Sequence, residues 1–68
     1  MKRRAWYLSD AVIREGRVAT LPDGTTGRIH GTWTVAGRVH LLLVPTNGER
    51  WPISHHVLAA DDEIEVAA

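Results

Sequence analysis

Few residues in this chain could do chemistry. Histidines stand at His30, His40, His55 and His56. A zinc site built from imidazole alone needs several rings converging on one point. His55 and His56 are adjacent, so on a strand or a helix their side chains point apart. His30 and His40 share a face in the hairpin argued below, but they do not stand opposite each other. No metal site and no cofactor is expected. Ser9 and Ser54 are the only serines. Ser54 precedes two histidines, but adjacency in sequence is not the geometry of a nucleophile and its base. The stretch "DGTTGRIHG" (residues 23–31) has glycines spaced loosely like a phosphate-cradling loop. A strand follows it instead of a helix, and the Lys-Ser/Thr pair of such loops is missing. These glycines therefore read as turn and bulge residues. No catalytic residue is expected, and an active site formed between subunits ranks last among the readings.

The Arg/His/Thr face is a better candidate. Arg28, His30, Arg38 and His40, with the hydroxyls of Thr32 and Thr34, lie on one side of a ribbon and suit phosphates or carboxylates. Lys2, Arg3, Arg4 and Arg14 add a basic head. Net charge is zero, yet it is uneven. The first seventeen residues carry an excess of positive charge, while Asp61, Asp62, Glu63 and Glu65 make the far end acidic. Overall neutrality argues against strong sequence-blind nucleic-acid binding, which needs many phosphate contacts.

These side chains must be held by a small scaffold. At 68 residues the chain is one domain, near the lower limit of what a single core supports. It has no cysteine, so neither a disulfide framework nor a Cys-ligated zinc can staple it. Such a chain often gains stability by self-association or by binding a partner. No apolar run approaches a membrane span and the start does not read as a signal peptide, so a cytoplasmic protein is expected.

Residues 1–14 form an N-terminal arm, strand or short helical turn. "KRRAWYL" (residues 2–8) suits a strand or a packed arm, and Ser9 with Gly16 could cap a helical turn over "DAVIRE". "GRVATL" (residues 16–21) is a strand that runs into a turn at Pro22, Asp23 and Gly24. The return strand reaches Thr34, and Val35, Ala36 and Gly37 fit a three-residue loop. That register pairs Trp33 with Val39 and Thr32 with His40. It puts Ile29, Gly31, Trp33, Val39, Leu41 and Leu43 inside, with the Arg/His/Thr face outside. A two-residue loop would bring Arg38 and His40 beside Trp33 in the core, at high cost. Asn47-Gly48 predicts a type I′ hairpin that sets Val44 opposite Trp51 and Leu42 opposite Ile53. "SHHVLAA" (residues 54–60) reads as one helical or 3₁₀ turn, and "DDEIEV" as a final strand.

Leu41 and Leu43 then face the core, and Leu42 and Val44 cannot, because successive strand side chains alternate. Leu42, Val44, Trp51 and Ile53 form an apolar outer patch. At ~25 cal/mol per Å² its exposure costs several kcal/mol. Either the Trp6–Leu8 segment or a second chain is expected to cover it.

The glycines and aliphatics of "EGRVATLPDGTTGRIHG" (residues 15–31) are Gly16 and Val18 opening one strand, then Gly27 and Ile29 on the next. With the closing "VLAADDEIEV" (residues 57–66), this pattern resembles the small SH3-like barrels of the KOW and Tudor-like kind. The resemblance implies an all-β, five-stranded SH3-like barrel with one short helical or 3₁₀ turn, acting as a binding module. Many such barrels touch RNA, DNA or protein tails through loops and one strand face. Trp6, Tyr7, Trp33 and Trp51 lack the spacing of an aromatic cage. The expected function is a non-enzymatic interaction module. Its partner is a second copy or another protein, bound through Leu42, Val44, Trp51 and Ile53. The alternative is a nucleic-acid-associated protein using Lys2, Arg3, Arg4, Arg14, Arg28, His30, Arg38 and His40.

Overall fold

The computed structural model describes residues 1–67. Strands β1 (Lys2–Arg4), β2 (Val18–Thr20), β3 (Thr26–Val35), β4 (Arg38–Val44), β5 (Ser54–Ala59) and β6 (Glu63–Val66) form one antiparallel sheet in the order β1-β6-β2-β3-β4-β5. A 3₁₀ turn (Ala5–Tyr7) and helix α1 (Asp10–Arg14) link β1 to β2. The fold is all-β as expected, but it has six strands and the sheet is not closed: β1 and β5 remain as its two edges.

The sheet is strongly curled all the same. β5 and β6 lie four strand spacings apart, about 19 Å if the sheet were flat. Only Ala60, Asp61 and Asp62 join them, and four Cα steps span at most about 14 Å. The curl wraps the core of Ala19, Leu21, Ile29, Leu41, Leu43, Ile64 and Val66. Helix α1 closes it with Val12. This helix forms where its caps require. The Val12 N–H donates to Ser9 Oγ, and Gly16, at φ +60°, leaves the last turn in the left-handed region.

The β2–β3 turn follows its sequence signal, with the Gly24 N–H donating to the Leu21 carbonyl and Gly24 at φ +91°. The β3–β4 hairpin corrects the expected register. Val35 pairs with Arg38, so the loop is Ala36-Gly37 alone, and both residues have positive φ. The odd residue is absorbed by a bulge at His30, between the Ile29–Leu43 and Gly31–Leu42 pairs. Ile29 still faces the core, but everything after the bulge turns over. Trp33 moves outward opposite His40, and Thr32 moves to the side of Leu41. The objection to a two-residue loop therefore falls away, because Trp33 and His40 meet on the outer face and not in the core.

Two further expectations are corrected. Asn47-Gly48 makes a local turn, with the Glu49 N–H on Asn47 Oδ1, inside a long loop over residues 45–53. Strand pairing resumes two residues later than a tight hairpin would give, so Leu42 stands opposite His55 and Leu43 opposite Ser54. Residues 54–59 are a strand and not a helical turn. As a strand they satisfy the second side of β4, whose backbone groups would otherwise be buried unpaired.

Candidate functional site on the outer face

Alternation along β4 buries Val39, Leu41 and Leu43 and turns Arg38, His40, Leu42 and Val44 outward. Their register neighbours give the outer face its composition: Val35, Trp33, Gly31 and Arg28 from β3, and His55, Val57 and Ala59 from β5. Much of it is apolar and wet. Trp33 is 42% exposed and Val57 49%. Leu42 and Val44 are half-buried.

At its centre Trp33, His40 and His55 form a ring cluster, with centroids 5.1–5.4 Å apart. His40 Nδ1 lies 2.9 Å from His55 Nε2, so one imidazole donates and the other accepts. The described residues contain no group of three or more His, Cys, Asp or Glu side chains that could hold a metal ion.

At one end of the face the residues 45–53 loop folds back and leaves a groove of about 490 Å³. Its apolar side is Val44, Trp51 and Ile53, and Arg28, His30 and Arg50 supply its polar side. Trp51 is 69% exposed. The apolar Leu42/Val44/Trp51/Ile53 set and the Arg28/His30 pair, which the sequence reading already puts on one outer face, are neighbours. Arg28 is the register partner of Val44. Arg38 and His40 lie further along the same face, toward the hairpin tip. Trp33, expected in the core, and His55, weighed as a metal ligand, join the face together with Val35, Arg50 and Val57, which were not singled out from the sequence. The alternation of β5 could have found Val57, had the strand been recognised.

The basic head does not join them. Lys2 and Arg4 stand opposite Glu65 and Glu63 across β1–β6, and Arg4 Nη1 lies 3.7 Å from Asp61 Oδ1. Arg3 is paired with Ile64, and its guanidinium sits 6.0 Å over the Tyr7 ring. Arg14 is the last residue of α1 and lies outside the sheet. The positive and negative ends of the sequence therefore meet and offset each other locally. The Trp6–Leu8 segment is held there too. The Ala5 N–H donates to the Asp62 carbonyl and the Trp6 N–H to that of Ala60, while Leu8 packs against the core.

Two carboxylates are held below their usual range. Asp23 accepts from the Thr25 N–H at 2.9 Å and from the Thr25 hydroxyl, and Glu65 accepts from the Met1 ammonium at 2.7 Å. Both belong to turns and strand ends, not to the outer face. No helix among the described residues is long and apolar enough to cross a membrane. No family model matches the chain, and neither does any curated protein or solved structure.

Proposed function

We propose that this protein is a non-enzymatic interaction module that docks a protein on the outer face of β3–β4–β5. Leu42, Val44, Trp51 and Ile53 are central to the contact, with Trp33 and Val57 extending it. One observation carries the reading: the N-terminal segment is hydrogen-bonded to the β5–β6 turn and is not laid over Leu42 and Val44. The internal cover is thus engaged elsewhere, and the apolar face is left for another chain. A second copy is the first partner to test, since a two-fold axis lets an apolar patch meet itself. The likeness to small SH3-like barrels belongs to the same proposal. It rests on the Gly16–Val18 and Gly27–Ile29 pattern and on the curl of the sheet.

Leu42→Asp tests this. The variant is expected to keep its fold, because Leu42 is outside the core, and to lower the mass of the assembly seen by sedimentation at high protein concentration. A wild-type protein that stays monomeric up to millimolar concentration would sink the self-association form of the reading.

A nucleic-acid reading keeps one supporting observation, the placement of Arg28, His30 and Arg50 beside the exposed Trp51 ring, which suits a stacked base with its phosphate. It loses Lys2 and Arg4 to the acidic strand β6. Binding of a single-stranded oligonucleotide that weakens steeply with salt and disappears in Trp51→Ala would favour it over the protein reading.

A further inference from the structure

The two edges of the sheet are treated very differently. β1 is three residues long and reads Lys-Arg-Arg, which discourages pairing with a further strand. β5 is six residues long and carries no Asp, Glu, Lys, Arg or Pro. It pairs with β4 on one side only.

The direction of its free backbone groups follows from one residue. The Ala59 N–H donates to Asp62 Oδ2 and the Ala59 carbonyl accepts from the Asp62 N–H, so both point away from β4. By alternation the N–H and C=O of Val57 and His55 point the same way, while Leu58, His56 and Ser54 bond to Val39, Leu41 and Leu43. Among the described residues nothing hydrogen-bonds the outward backbone groups of His55 and Val57.

We propose that β5 is a pairing edge for a second copy of this chain, joined antiparallel about a two-fold axis through His56. The register is self-complementary. His55 of one copy faces Val57 of the other, and the two outward N–H and C=O groups of each make four main-chain hydrogen bonds. Pairing stops at Ala59, whose groups Asp62 already holds, and the His56-centred register is the one that pairs the free groups of His55 and Val57 with each other. The same join places two outer faces side by side as one wider sheet. It is separate from docking on that face and leaves the face open to a partner.

The test uses the whole chain, as wild type and with Leu42→Asp to block contact through the face. The wild type, with both contacts available, is expected to assemble beyond a dimer as concentration rises, and the Leu42→Asp protein to stop at a concentration-dependent edge dimer. Adding Val57→Pro removes one outward N–H without touching the β4–β5 ladder, and is expected to leave a folded monomer. Since the chain has no cysteine, a single introduced thiol can only cross-link two copies. His56→Cys sits opposite its own mate in a non-hydrogen-bonded pair, about 4.5 Å between Cα atoms, within disulfide reach. It is expected to link at least ten times faster than His30→Cys on the outer face. Equal linking rates for the two thiols would overturn the edge. So would a Leu42→Asp protein that is monomeric at every concentration, although a wild type that still assembles would then leave docking through the outer face standing.

Discussion

Ala36 is the only non-glycine residue with a left-handed backbone among those described, at φ +51°, and Gly37 follows at +74°. A two-residue β-hairpin turn needs positive φ at both central positions, and alanine is a poor choice for the first. Ala36→Asn is therefore expected to raise stability by about 0.5–1 kcal/mol, and Gly37→Val to lower it by about 1 kcal/mol or more, measured by urea denaturation. Gly27 is constrained differently. A Cβ there would lie 2.8 Å from Leu43 Cβ and 2.9 Å from the Val44 carbonyl oxygen, so Gly27→Ala forces β3 and β4 apart. The tryptophan at position 33, which the sequence assigns to the core, is partly exposed, and truncating it removes only its ring contacts. Trp33→Ala should cost less than about 1.5 kcal/mol, whereas Leu41→Ala, at a fully buried site, should cost about 2–5 kcal/mol. A Trp33→Ala protein that unfolds at room temperature would contradict this assignment.

At the scale of elements, the β2–β3 turn adds a pH-dependent contribution through Asp23. The lowered carboxyl of Asp23 is ionised in the folded protein over a range in which it is protonated in the unfolded chain. Its contribution is therefore fully present above the usual carboxylate range and is lost as pH falls through that range toward the lowered value. Asp23→Asn should melt less steeply toward acid than the wild type, and parallel Tm-against-pH curves would refute this. The same elements show what the sequence discloses. Ser9, Gly16 and Gly24 act within a few residues of themselves, so their caps and turns are legible from local chemistry. The β3–β4 register is not. A three-residue loop and a two-residue loop with a bulge both keep Ile29 inside, and they part at His30, after which Gly31 to Thr34 face opposite sides in the two registers. Strand β5 is hidden for a related reason. "SHHVLA" has no helical period and little strand composition, and its conformation is fixed by the unpaired side of β4. The outer face is thus legible in its apolar residues Leu42 and Val44, but not in the neighbours that the bulge and β5 bring to them.

Across the whole molecule, contacts divide into a local part and a distant part. β3, β4 and β5 follow one another along the chain, whereas β1, β6 and β2 join residues from its two ends. Closing the distant pairs costs loop entropy that the local pairs do not incur. Native-state hydrogen exchange is expected to protect the amides of Val39, Leu41 and Leu43 most strongly and those of Lys2–Arg4 least. Equal protection of β1 and β4 would argue for a single cooperative unit. The arrangement also has a mechanical consequence. β1 starts where β6 finishes, with Lys2 opposite Glu65 and Arg4 opposite Glu63. Tension applied between residues 1 and 67 therefore peels this pair open one hydrogen bond after another instead of shearing all of them at once. Along that line the protein should yield at low force in a pulling experiment, however well the β3–β4–β5 meander resists heat.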